Sequence, residues 1–235
     1  MNTVMHSESR LIFATALGFL ILLLSGCANP AGGDISLLPM YGGVEKTEKQ
    51  IQADAVYLKQ MDAHFDDRRA ASESVARAGW NYWYKGEWQT AMRRFNQSWL
   101  LDSGNFYTYW GFVAILFAQG KYHESSDMGD IALSLAPDNY KLLCDVAFSK
   151  GSYAYKAKLN RKEKEMHFQK ALSMCEKAAT IAPAEPCMAW AVMLFYSGQY
   201  QAAWEKVKQA EELGHHYPRA FLTDLARKLP RPESL

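Results

Sequence analysis

Few side chains in this sequence stand at spacings that support chemistry. Its six histidines are His6, His64, His123, His167, His215 and His216. His64 lies close to Asp66 and Asp67, and His215 adjoins His216, so each spot gathers candidate metal ligands. Adjacent residues on a helix face different ways, however, and no partner sits at ligand spacing. These histidines read as solvated side chains at loops and helix ends, and no metal is expected. The thiols of Cys144, Cys175 and Cys187 have no evident base nearby to activate them. No metalloprotease helix motif, phosphate-binding glycine loop, nucleophile elbow or dinucleotide fingerprint occurs. The expectation is a chain with no catalytic residues, no enzymatic activity and no cofactor. A basic cluster, Lys156, Lys158, Arg161, Lys162 and Lys164, is interleaved with Glu163 and Glu165. Mixed signs at that spacing read as a solvated helical face, with contact to anionic headgroups as the second reading.

Composition narrows the class further. Of 235 residues, 49% are hydrophobic and 13% aromatic, enough for a real core in one or two domains. The 26 basic side chains nearly balance the 25 acidic ones, whereas a nucleic-acid binder normally carries a basic excess. No nucleic-acid partner is expected.

The N-terminus reads as an export signal. Leu11 to Leu24 is an apolar run broken only by small residues such as Thr15 and Gly18, and Arg10 precedes it. It falls short of the ~20 residues that span a bilayer and suits a signal-peptide core. Leu24, Ser25, Gly26 and Cys27 follow, and this quartet resembles the lipobox of bacterial lipoproteins. The resemblance implies cleavage of residues 1–26 and lipidation of Cys27. Two or three acyl chains, at ~0.8 kcal/mol per buried methylene, would hold the protein on a membrane almost permanently. Ala28 rather than Asp follows the cysteine, and by resemblance to the enteric sorting rule this points to the outer membrane, facing the periplasm. Residues 27–43, rich in Gly and Pro, read as the lipidated cysteine and a flexible tether. Three thiols remain after cleavage, and an odd number in an oxidising compartment argues against a disulfide scaffold. Buried free thiols and a Cys175–Cys187 pair both stay open.

A period of 34 residues organises the body. Gly86, Trp88, Ala91 and Ser98 recur as Gly120, Tyr122, Ser125 and Ala132. The same internal spacing returns as Gly198, Tyr200, Ala203 and Ala210, and in degenerate form as Met166, Phe168, Ala171 and Ala178. Glycine can end one helix in the left-handed conformation. The aromatic two residues later opens the next helix, and the paired small residues let two helices approach. Pro137 and Pro183 then stop the second helix. Outside these copies, Ile51, Ala55, Leu58, Met61 and Phe65 mark an amphipathic helix before them, and Ala220, Phe221, Leu225 and Leu229 mark another after them.

This pattern resembles the tetratricopeptide repeat (TPR). Gly79 and Tyr82 match the glycine and tyrosine of its first helix, Ala91 the alanine opening the second, and Phe95 the later aromatic. The likeness covers Ser72 to Gly214. It departs at Val113 and Gly129, and the third copy runs long, its extra residues falling near Tyr155 to Lys164. The implied fold is all-α: a right-handed α-solenoid of about four TPR-like helix-turn-helix repeats over residues 72–215. Capping helices at 44–71 and 216–235 would present polar outer faces.

In such arrays the first helices line a groove for partner segments. Carried onto this chain, those positions are Trp80, Trp83, Tyr84, Tyr107, Trp110, Phe117, Val192, Phe195 and Tyr196. Trp and Tyr dominate binding hot spots, although helical aromatic stripes often form core. The Lys and Asn of carboxylate-clamping repeats are largely absent, Lys141 and Lys150 being the nearest substitutes. The resemblance therefore implies a lipid-anchored envelope scaffold that binds a protein or peptide partner, in assembly of an envelope machine. The alternatives are a self-associating structural lipoprotein, as a homo-oligomer, or an accessory domain of a cell-wall enzyme.

Overall fold

A computed structural model describes residues 33–233, which form ten α-helices with no strand among them. These residues divide into two compact units, 33–115 and 116–233. The expected signal peptide at residues 1–26 and the expected lipidation site Cys27 lie outside the described residues.

In the first unit, helix α1 (Glu48–Asp62) starts at Thr47, whose side chain and that of Gln50 cap each other's backbone N–H groups. Helix α2 (Arg68–Tyr84) starts where Asp67 accepts the Ala70 N–H. It ends at Gly86, whose φ of +76° reverses the chain, and the Glu87 N–H then closes on the Tyr82 carbonyl. Helix α3 (Trp88–Leu101) follows and packs back along α2, and α4 (Phe106–Ala118) comes next. The fully buried Phe95 ring is seated where two helices lack a side chain. A Cβ on Gly79 would fall 2.7 Å from it, and one on Gly111 2.3 Å. Gly79 is the glycine that the repeat resemblance singles out; Gly111 is a second one, two positions before Val113.

Two expectations are corrected in this unit. The composition of residues 28–43 implies a loose tether, yet Asp34 to Gly43 lies against α3. The fully buried Asn96 donates to the Ser36 and Leu38 carbonyls at 2.8 Å each, and Arg93 pairs with Asp34 at 3.1 Å. Tyr41 sets its edge on Trp99, and the Lys46 ammonium sits over the Tyr41 ring. Met40, Tyr41, Gly42 and Gly43 all have positive φ, so four successive residues turn the chain there. Buried hydrogen bonding offsets what Gly and Pro content loses. The second correction concerns α1, whose apolar stripe does not all face inward. Ile51 and Ala55 are exposed, while Leu58 and Met61 are half-buried along with Asp54 and Tyr57.

In the second unit, α5 (Tyr122–Leu135) follows Gly120, whose φ is +73°. Asn139 caps α6 (Tyr140–Lys156), and Asn160 with Glu163 forms a reciprocal cap on α7 (Arg161–Ile181). These two helices have 17 and 21 residues, which accounts for the long third copy. Met166, the degenerate counterpart of the turn glycines, lies inside α7 rather than at a bend, because Asn160 starts the helix before it. Helix α8 (Ala189–Tyr196) ends at Gly198, φ +82°, and α9 (Tyr200–Glu212) ends at Gly214, φ +78°. Helix α10 (Arg219–Lys228) closes the unit, with Phe221 and Leu225 buried. The Trp204 indole donates to the Leu229 carbonyl at 2.9 Å and ties the last turn down.

The turn at each of Gly86, Gly120, Gly198 and Gly214 closes the same way. The residue after the glycine donates to the carbonyl five positions earlier: Lys121 to Leu116, Gln199 to Leu194, His215 to Ala210. The small residues spaced seven apart are buried in every copy: Ala91 and Ser98, Ser125 and Ala132, Ala171 and Ala178, Ala203 and Ala210. Among the described residues, no helix is long and apolar enough to cross a membrane.

Candidate functional site

The aromatic positions assigned to the groove separate by burial. Trp80, Trp83 and Trp110 are 7%, 5% and 3% exposed, so they are core residues that present little to a ligand. Trp80 meets Trp110 edge-on at 5.7 Å and also packs on Phe95 and Tyr84. Trp83 instead stacks on Trp88 beside the Gly86 turn. Tyr84 and Tyr107 are half-buried, and Tyr107 lies against Trp110. The repeat resemblance assigns all of these to first helices, and they lie on α2 and α4. Spacing does not reveal that neighbouring helices cover the indoles.

In the second unit Phe117 is half-buried against Tyr122 and Phe148. Val192 is buried, whereas Phe195 and Tyr196 are half-buried. Tyr196 stacks nearly parallel on Tyr155, ring centroids 4.1 Å apart and planes 12° apart. Tyr155 is 48% exposed, and the Lys156 ammonium lies 5.5 Å from its ring centroid. Burial pushes the Tyr196 phenol up to about 12, so it stays a neutral donor. The exposed Lys158, Arg161 and Lys162 follow at once in the chain. Tyr155 is the residue that the repeat pattern does not assign. Its signal is the extra length of the third copy, which carries it one turn beyond the repeat's usual end.

The two lysines weighed as clamp substitutes are not available. Lys141 is buried, and Lys150 is 4% exposed with its ammonium bonded to Asp130 at 2.8 Å and to Ser126 at 3.0 Å. The ammonium is buried and already bonded to both partners, so it presents nothing to a ligand carboxylate. Next to it, the rings of His123 and His167 both abut Tyr153 edge-on, at 4.8 and 5.1 Å. His123 pairs with Asp127 at 3.0 Å, and burial together with the Lys150 and Lys170 charges lowers the His167 pKa. The His64 imidazole donates to the Gln60 carbonyl at 2.7 Å, within its own helix end. Among the described residues, no group of three or more His, Cys, Asp or Glu side chains is arranged to hold a metal ion.

No family model matches the chain, and no curated protein matches it. Among solved structures, it is similar to the crystal structure of a thermophilic TPR protein from Thermus thermophilus. That likeness has a TM-score of 0.58 at 15% identity and covers 68% of this chain and 84% of the other. Such a likeness establishes the fold: an all-α architecture of TPR-type helix pairs.

Proposed function

We propose that this chain is a lipid-anchored interaction scaffold of the bacterial cell envelope. Acylated Cys27 would hold it on the outer membrane, and the helical repeats would grip a segment of an envelope partner. The observation that carries the reading is the Tyr155–Tyr196 stack, whose outer ring Tyr155 is exposed under the Lys156 ammonium, with the exposed Lys158, Arg161 and Lys162 following in the chain. Large rigid rings supply contact area at low entropic cost, and flanking cations select charge and speed encounter. The fitting partner is therefore a segment that lays an apolar side chain on the rings and turns carboxylates to the lysines.

Crosslinking in cells followed by recovery of the chain tests this. Tyr155→Ala with Tyr196→Ala should lower recovery of the specific partner by about tenfold or more, the scale of a ~1.4 kcal/mol hot-spot loss. The double variant should keep its helical circular-dichroism spectrum. Equal recovery from wild type and variant would sink the platform. In the same cells the wild type should incorporate a labelled fatty acid and Cys27→Ser should not; equal labelling of the two, or none in the wild type, would remove the anchor.

A further inference from the structure

The segment before α1 is held on α3 mostly by polar contacts. Both ends of the buried Asn96 carboxamide face its backbone: Nδ2 donates to the Ser36 and Leu38 carbonyls at 2.8 Å each, and Oδ1 accepts the Tyr41 N–H at 3.4 Å. Arg93 donates to the Asp34 carboxylate at 3.1 Å and to the Ser36 hydroxyl at 3.2 Å, and Tyr41 meets Trp99 edge-on. No residue from Asp34 to Gly43 is more than half-buried. Met40 and Tyr41 keep left-handed backbone, which costs energy in residues that carry a side chain. If the segment lifts, water takes over its hydrogen bonds, and Asn96 is solvated rather than left buried and unsatisfied. The helices beneath do not need the segment. Trp99 still donates to the Tyr109 hydroxyl at 3.0 Å, Lys46 still pairs with Asp54, and Thr47 and Gln50 still cap α1. A piece of chain with few buried apolar contacts opens at lower cost than the packed helices under it.

We propose that residues 34–43 are a releasable strap that sets how far the first unit reaches from the membrane. The strap's role depends on Cys27 being acylated, as proposed above, and on nothing at the Tyr155–Tyr196 stack. Asp34 is seven residues past Cys27, so at ~3.3–3.6 Å per residue the docked strap keeps the first unit within ~25 Å of the acylated cysteine. With the strap lifted, free chain runs to Thr47, twenty residues past Cys27, and the limit becomes ~70 Å. The root-mean-square reach of a flexible chain rises less, from ~15 to ~25 Å. Asn96 is the lock, because one side chain holds three backbone groups of the strap, and Arg93 and Trp99 reinforce it at Asp34 and Tyr41. Docked, the strap holds the first unit close to the bilayer. Lifted, it lets that unit meet partners farther away without any helix rearranging.

Native-state hydrogen exchange of the full chain, read by mass spectrometry, tests the lock, and neutron reflectometry of the acylated protein on a supported bilayer tests the reach. In the wild type, peptides covering the Leu37, Leu38 and Tyr41 amides, all hydrogen-bonded in the docked strap, should be protected. They should nevertheless exchange at least tenfold faster than the middle of α3, because the strap opens by itself. Asn96→Ala should speed the strap a further tenfold or more while keeping the helical circular-dichroism spectrum. Asp34→Ala with Tyr41→Ala, which leaves every helix sequence intact, should do the same and separates loss of the strap from a defect in α3. On the bilayer both variants should stand about 10 Å farther out than the wild type, the difference between the two root-mean-square reaches. A wild-type strap that is unprotected, or as slow as α3, would overturn the proposal. So would variants with unchanged strap exchange, or with faster exchange and an unchanged standoff. A chain without fatty acid on Cys27 would end the anchored reading and the reach with it, while the exchange rates would still decide whether the strap lifts.

Discussion

At the scale of single residues, two kinds of glycine do different work here. Gly86 has φ +76° with nothing within 4 Å of an added Cβ, so its need is conformational. Gly111 has ordinary helical backbone, but an added Cβ would meet Phe95 at 2.3 Å, so its need is spatial. Alanine at either position should destabilise the protein, by ~1–2 kcal/mol at Gly86 from left-handed strain and by ~1–3 kcal/mol at Gly111 from overpacking. Adding Phe95→Leu separates the causes. It should relieve part of the Gly111→Ala penalty and leave the Gly86→Ala penalty simply additive. Urea unfolding of the single and double variants reads this, and equal additivity in both pairs would refute the distinction.

Elements are set by their caps more than by the repeat register. Helix α7 begins at Asn160 and runs for 21 residues, through the place where the period puts a turn at Met166. Local side-chain chemistry wins because the reciprocal Asn160–Glu163 bonds satisfy backbone donors that Met166 cannot. Asn160→Ala should therefore cost ~1 kcal/mol. Met166→Gly should also cost ~1 kcal/mol, as glycine does in a helix interior. A neutral or stabilising Met166→Gly in denaturant unfolding would mean that a bend forms there after all.

At the scale of the whole molecule, stability should depend on pH through His167. Burial first, then the Lys150, Lys170 and His123 charges, lower its pKa below the ordinary value of 6.5, with Glu163 opposing. The unfolded chain therefore binds a proton at higher pH than the native one does. Stability should be greatest above that ordinary value, fall as pH drops through it towards the depressed native value, and level off below. The urea midpoint of the wild type between pH 8 and pH 5 should fall more steeply than that of His167→Gln. Parallel slopes would show that the imidazole is as free in the fold as outside it.

The sequence alone determined the helix pairs, their turns at Gly86, Gly120 and Gly198, and the buried small residues, because each follows from rules acting within a few residues of the chain. The helices that carry the aromatics came instead from the repeat resemblance. Only the tertiary structure decided which of those rings stay accessible, that Gly111 makes room for Phe95, that Asp34 to Gly43 lies on α3, and that three cysteines distant in sequence join one core. Each of these depends on what a neighbouring helix covers or leaves open. Periodicity fixes the face a side chain occupies; packing alone decides what stands opposite it.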